Sequence, residues 1–174
     1  MQKKKLIFIF AVLAIIFVIQ FAFTGKVKEF SSIEEACLDV SNDSNAILDV
    51  LEQEGVALII YKKPTQVLSV KPIFKDEMIW SFASKKTKSH IFKNGFIYES
   101  QHQNKVYSYF VISLPQKYDE LNVVDNMESE IIYNVYDVSG NKLLCGLIAL
   151  NNPIEQDYQL MVEVDLQEYT VYHR

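Results

Sequence analysis

Hydrophobic and polar positions follow three patterns along the chain, and the first is an apolar run near its start. Residues 6–23 comprise eighteen residues, of which seventeen are apolar and one, Gln20, is polar. As a helix this run would span about 27 Å, close to the ~30 Å hydrocarbon core of a bilayer. The run predicts a single-pass transmembrane anchor.

A cleaved signal peptide, leaving a secreted protein, is the alternative interpretation of this run. The apolar part of a signal is usually shorter and ends in small residues at the cleavage site. Here the best cleavage pair is Ala22 with Thr24, and the cysteine that a lipoprotein signal needs just after the run does not come until Cys37. These features favour the anchor.

The second pattern is helical and covers residues 31–55. Ser31 and Ser32 each precede a glutamate by three residues, which is the spacing of a capping box, and the helix is expected to end near Val40. A polar break at residues 41–44 then precedes a second short helix that Gly55 ends. The apolar face of that second helix is formed by Ile47, Leu48, Val50 and Leu51.

The third pattern runs from residue 56 to the C-terminus and is typical of strands. Residues 56–61 are all apolar, as expected of a strand covered on both faces. Residues 66–71 lie between two prolines and predict a shorter edge strand. Asn94 with Gly95, and residues 139–141, predict hairpin turns. Further strands are expected at 78–83, 89–93, 96–99, 106–114, 130–138, 142–150, 158–166 and 169–173.

Together these patterns predict an α+β protein with an N-terminal transmembrane helix. Two short helices pack on a mainly antiparallel sheet, and a β-sandwich-like half follows a boundary at residues 115–119. The expected segments are a cytoplasmic tail (1–5), the anchor (6–23), a linker (24–30), a helix-covered sheet (31–114) and a C-terminal β half (115–174).

The short N-terminus indicates on which side of the membrane the bulk of the chain lies, and the charge of that bulk narrows its partners. Lys3, Lys4 and Lys5 precede the anchor and Lys26 and Lys28 follow it, so the charge bias is small, and it is the shortness of the N-terminus that favours its retention in the cytoplasm. Residues 31–174 contain 12 basic and 21 acidic residues, a net charge of −9. A surface of this sign repels phosphates, which disfavours nucleic acid and anionic lipid head groups as partners.

The two cysteines, Cys37 and Cys145, admit two interpretations. Outside the cytoplasm a disulfide between them is permitted. Alternatively both are core residues, because Cys37 lies on the apolar face of the first helix and Cys145 alternates with leucines along a strand.

Residues with catalytic or metal-binding chemistry form no recognisable motif. His90, His102 and His173 are scattered, and residues 39–50 begin like a calcium loop but lack its glycine and its final glutamate. No catalytic, metal or cofactor-binding residue is therefore predicted. Three acidic pairs in expected turns leave dispersed-carboxylate chemistry open: Asp76 with Glu77, Asp119 with Glu120, and Asp125 with Glu128.

Aromatic residues are plentiful in the expected strands. Strands favour aromatic side chains, so packing in the core is the ordinary explanation. Tyr107 and Tyr109 share one strand face, and if that face is exposed they form a platform for a peptide or a glycan.

A resemblance to a group of bacterial proteins agrees with this location. The lysines at residues 3–5 ahead of one apolar run, SSIEEA at residues 31–36 and VALIIYKKP at residues 56–64 resemble uncharacterised small membrane-anchored extracytoplasmic proteins of Bacillus-like Gram-positive bacteria. The resemblance covers about residues 1–65 and brings no functional residues. It implies a location in the cell membrane and no particular activity.

These observations predict a non-enzymatic, membrane-tethered extracytoplasmic protein with a binding or structural role. The expected partners are the membrane, through the anchor, and an envelope protein or cell-wall glycan. A cell-envelope hydrolase that uses dispersed carboxylates is the alternative from another functional class. A structural protein without a small ligand that acts under envelope stress is a third hypothesis.

Overall fold

The computed structural model describes residues 27–82, 88–92, 94–102, 105–150, 158–165 and 167–173. The predicted cytoplasmic tail, anchor and most of the linker (residues 1–26) lie outside this part of the chain. Within the described residues, no helix has the length and apolar character needed to cross a membrane.

The described residues form one helix and thirteen strands. The helix, α1, comprises Ile33–Ser41. The strands are β1 (Glu29–Phe30), β2 (Ala46–Gln53), β3 (Val56–Lys62), β4 (Leu68–Asp76), β5 (Ile79–Phe82), β6 (Lys88–Phe92), β7 (Gly95–His102), β8 (Lys105–Ser113), β9 (Leu121–Asp125), β10 (Ile131–Val138), β11 (Asn141–Leu150), β12 (Gln159–Val164) and β13 (Gln167–His173).

These strands form three antiparallel sheets. Sheet A has the order β1-β5-β4-β3-β2, sheet B has the order β10-β11-β8-β7-β6, and sheet C has the order β13-β12-β9. Three clusters of buried side chains lie between α1 and sheet A, between sheets A and B, and between sheets B and C. The described part of the protein is therefore a stack of four layers with sheet B enclosed on both faces.

The predicted α+β class with two helices is wrong, because the protein is mainly β and the expected second helix is strand β2. A bulge shifts the register of β2 between Ile47 and Asp49. Ile47 and Val50 consequently face α1 together, although three positions separate them. A bulge in a strand thus imitates the i, i+3 spacing of a helix.

The first predicted helix is confirmed, together with its capping residues. Ser32 is the N-cap, and its Oγ accepts a hydrogen bond of 3.2 Å from the backbone N–H of Glu35. The Glu35 carboxylate in turn accepts hydrogen bonds from the N–H and the hydroxyl of Ser31. Ala36 and Val40 are buried and pack the helix against sheet A.

Sheet B joins the two predicted halves of the chain. It takes β6 to β8 from one side of residues 115–119 and β10 and β11 from the other, and β8 pairs with β11 over eight residue pairs. The expected boundary therefore does not divide this fold into separate halves. Sheets A and C cover the two faces of β8, which explains its nearly continuous apolar sequence.

The edge strand predicted at 66–71 corresponds to the first half of β4, which among the described residues pairs only with β3, whereas the second half lies between β3 and β5. Pro72 pairs with Leu58 of β3, whereas the pairing of β4 with β5 begins only at Ile73. The proline lies one residue beyond the last pair with β5. A missing backbone donor is tolerated at such a position.

The predicted hairpins are present. Ser139 and Gly140 both have positive φ, 56° and 81°, as the turn between β10 and β11 requires. At the other hairpin Phe92 pairs with Gly95, so this glycine already belongs to β7. A Cβ at Gly95 would lie 2.1 Å from the carbonyl oxygen of Val111, so the close approach of β8 requires glycine there.

Candidate functional site

The tyrosines predicted as a ligand platform lie in the core. Tyr107 and Tyr109 are only 4% and 6% exposed and point from β8 toward sheet A. The Tyr109 ring stacks on Tyr98 at 5.2 Å, and the Tyr107 ring lies 5.5 Å from that of Phe74. The platform required exposed rings, and sheet A covers this face of β8, so that prediction is corrected.

The two cysteines are free thiols on opposite faces of sheet A. Cys37 is half-buried and packs with α1 against one face, whereas Cys145 is fully buried between sheets A and B. Burial raises the pKa of Cys145 to about 12 and, with a smaller contribution from Glu34, raises that of Cys37. Sheet A separates the two thiols in this structure.

Two of the three acidic pairs lie in turns where a carboxylate oxygen accepts backbone hydrogen bonds and so stabilises the turn. Asp125 Oδ1 accepts backbone hydrogen bonds from Met127 and Ser129. Near the second pair, Asp165 Oδ1 accepts the backbone N–H groups of Asp119 and Glu120, and these bonds lower the pKa of Asp165. Both carboxylates therefore have a clear structural role.

The third pair, Asp76 and Glu77, borders a cleft of about 440 Å³ between sheets A and B. On sheet A, Ser81 pairs with Phe74 and with Glu29, so these three residues share the face that points toward sheet B. Small Ser81 and charged Glu29 do not fill the space between the sheets. The cleft is lined by Val27, Glu29, Phe74, Asp76, Glu77, Ile79, Ser81, Phe82, Gln101 and His102.

His102 closes the inner end of this cleft from sheet B. It lies at the end of β7, and its ring stacks on Phe74 at 5.0 Å with an interplanar angle of 23°. Its Nε2 atom is buried and has no hydrogen-bond partner among the described residues. A neutral imidazole nitrogen can donate or accept a hydrogen bond according to its tautomer, so this atom keeps unused hydrogen-bonding capacity beside the cleft.

The electrostatics of the cleft are one-sided. Three of its lining side chains are carboxylates, and none of the described lining residues is a lysine or an arginine. The remaining surface combines apolar Val27 and Ile79 with polar Gln101. Such a mixture of apolar walls and a few polar groups is typical of small-molecule sites, and the volume falls in their usual range.

Little in the sequence could have indicated this site. Asp76 and Glu77 stand out only as an acidic pair in a turn, Glu29 falls in the expected linker, and His102 is one of three scattered histidines. The side chains of His90 and His173 lie outside the described part of the structure. Among the described residues, no group of histidine, cysteine, aspartate and glutamate has the arrangement of a metal site.

A second polar cluster links the edge strands of sheets A and B. Asp49 Oδ2 accepts hydrogen bonds from the Tyr136 hydroxyl at 2.7 Å and from Asn134 Nδ2 at 3.0 Å. Its Oδ1 accepts the backbone N–H of Val50, and Asn134 Oδ1 accepts that of Val135. We call Asp49, Asn134 and Tyr136 the edge network.

The edge network displaces the pKa values of its own members. Burial would raise the pKa of Asp49, but the hydrogen bonds from Tyr136, Asn134 and Val50 outweigh it and hold the pKa below its usual range. Burial, followed by the hydrogen bond to Asp49, raises the pKa of Tyr136. At neutral pH an anionic carboxylate therefore accepts from a protonated phenol.

Comparisons with known proteins supply no relative: no protein family, no curated protein and no solved structure matches this chain. The resemblance to membrane-anchored proteins of Bacillus-like bacteria stays a prediction. The function of the site has to be argued from its own geometry.

Proposed function

We propose that the protein is a membrane-tethered extracytoplasmic binding protein whose cleft between sheets A and B takes a small ligand with a positively charged group. The observation that carries this proposal is the charge of the cleft, whose lining includes three carboxylates and, among the described residues, no lysine or arginine. An amino sugar of a cell-wall glycan has the required chemistry, because it joins one ammonium group to several hydroxyls and an apolar ring face.

Four described carboxylates outside the cleft have structural roles. Hydrogen bonds that hold a cap, a turn or a strand lower their pKa values: Glu34, Glu35, Asp49 and Asp165. A glycosidase with two carboxylates needs one whose pKa is raised, so that it can donate a proton, and these four are therefore unsuited to that role.

Binding in the cleft is tested by NMR on the full chain in nonionic micelles with labelled histidine. Because the chain has three histidines, three ring signals are expected. Glucosamine should shift the His102 signal, whereas N-acetylglucosamine, which lacks the charge, should shift it weakly. Glu29→Gln should weaken glucosamine binding about fivefold, the effect of losing roughly 1 kcal/mol from an exposed ion pair.

Glu163→Gln is the matched control, because Glu163 lies on sheet C and the substitution removes the same charge. It should leave glucosamine binding unchanged. Equal shifts with the two sugars, or equal weakening by both substitutions, would rule out a cation site in the cleft.

The tether is tested separately by the mass of the mature protein. A retained anchor predicts that membranes yield a chain with residues 6–23 present. A secreted form with an N-terminus near Gly25 would instead show that the apolar run is a cleaved signal.

A further inference from the structure

Helix α1 covers the edge strand of sheet A only in part, because Ile47 and Val50 of β2 stay half-buried beneath it. Its buried residues Ala36 and Val40 pack over the inner strands, against Ala57, Ile59 and Ile73. Strand β2 lies at the edge of the sheet, and its Ile47 and Val50 pack against the rim of the same cluster. Between the outer side of α1 and β2 runs a groove of about 510 Å³, which we call the α1/β2 groove. Its lining residues are Ile33, Glu34, Cys37, Leu38, Ser41, Ile47, Val50 and Glu52.

The backbone beside this groove has the geometry of an open strand edge. The two-residue turn after β2 makes Gln53 and Val56 a hydrogen-bonded pair, so the outward-pointing positions alternate and include Val50 and Glu52. The N–H of Val50 is already bonded to Asp49 Oδ1 at 2.8 Å. At Glu52 no strand of the described chain pairs with the outer side of β2.

The charge of the groove distinguishes between two kinds of occupant, a second copy of this chain and a basic segment of another protein. Its charged lining residues, Glu34 and Glu52, are both acidic and both exposed. A second copy of this chain paired antiparallel with Glu52 at the two-fold axis would place Glu52 opposite the same residue of its partner. Like charges on adjacent strands are destabilising, whereas lysine or arginine opposite Glu52 would be stabilising.

We propose that the α1/β2 groove docks an extended, basic and apolar peptide segment of a partner protein as a sixth strand of sheet A. Alternate side chains of such a strand point to the helix-facing side. An apolar side chain opposite Val50 would contact Leu38, which is 64% exposed, and a basic side chain two positions away would lie opposite Glu52. This mode of recognition takes affinity from backbone bonds and specificity from alternate side chains.

The site is independent of the cleft, because it lies on the opposite face of sheet A. The peptide acetyl-Lys-Thr-Leu-Thr-Lys-amide is a suitable probe, since its lysines and leucine share one face. Cys37 lines the groove and is half-exposed, whereas Cys145 is fully buried. In the folded full chain, in nonionic micelles, a maleimide should therefore label Cys37, and the rate can be followed by mass.

Saturating probe should slow the labelling of Cys37 about fivefold, and the acidic analogue with two glutamates should not. Leu38→Ser and Glu52→Lys should each remove the protection. Val67→Ser and Glu128→Lys, which change exposed residues outside the groove, should retain it.

Equal protection by the basic and acidic peptides would overturn the proposal. Protection that appears without peptide and grows with protein concentration would also overturn it, because a second copy would then be the occupant. Circular dichroism of each variant separates loss of docking from loss of folding.

Discussion

Gly146→Ala should lower the free energy of unfolding by about 3 kcal/mol, near the upper end of the range for an overpacked core. A Cβ at Gly146 would lie 2.1 Å from Cζ of Phe110 and less than 3 Å from two further atoms of that ring. The Phe110 side chain is fully buried between sheets B and C, so it cannot move aside without displacing its neighbours. The measurement is a urea titration of the full chain followed by the fluorescence of Trp80, the only tryptophan.

A double-mutant cycle with Phe110→Leu identifies the cause. If the clash with the ring is responsible, Gly146→Ala should cost about 1 kcal/mol or less when leucine occupies position 110, and the two changes should couple strongly. Additive effects would show that the ring is not the obstacle. Gly55→Ala serves as the comparison, because its positive φ of 82° adds backbone strain while its new Cβ would meet only an ordinary contact.

Asp49→Ala should destabilise the protein by about 2 kcal/mol, because it leaves the half-buried Tyr136 hydroxyl and the Asn134 amide without their acceptor. The same variant should associate at lower protein concentration. Asp49 covers the outward N–H of Val50, and without it the β2 edge gains an unpaired donor. Urea titration and size-exclusion chromatography measure the two effects.

The stability that Asp49→Ala loses should become smaller as the pH falls. The pKa of Asp49 is lowered in the folded state, so its contribution is complete above the unfolded pKa of about 3.9 and fades as the pH falls through the folded value. Tyr136, which donates to the carboxyl group, and Cys145, which acts on Tyr136, stay protonated throughout this acidic range, because their pKa values are raised. The stabilities of the natural chain and the variant should therefore converge in acid.

Asp137→Ala is the matched control for the edge network. Asp137 accepts the backbone N–H of Gly140 in an exposed turn, so its removal should cost under about 1 kcal/mol and should not promote association. A stability gap for Asp49→Ala that persists unchanged in acid would contradict the assigned role of the carboxylate.

Features that depend on neighbouring residues could be predicted from the sequence. The capping residues Ser32 and Glu35 and the turn at Ser139 and Gly140 are present as expected, and the alternating strand expected at 158–166 is present over Gln159–Val164. Each is governed by side chains and backbone angles within a few positions, so the local sequence carries the necessary information.

Features that depend on how strands pair and how sheets stack on one another could not be predicted from the local sequence. The bulge in β2 changes which side chains share a face, and its apolar residues therefore resemble a helix. The alternating positions of Tyr107 and Tyr109 fit an exposed strand face and a buried one equally well. They are buried because sheet A covers this face of β8. The periodicity of a sequence shows which side chains share a strand face, but it does not show whether solvent or another sheet covers that face.

By itself the sequence determined the apolar N-terminal run, the acidic charge of residues 31–174 and most of the strands, because these are properties of composition and short-range order. Only the tertiary structure decided that sheet B is enclosed between two others, that Glu29, Asp76 and His102 line one cleft, and that Asp49 joins Tyr136. The physical reason is that each of these contacts joins residues distant in the chain, and the packing of apolar faces brings them together.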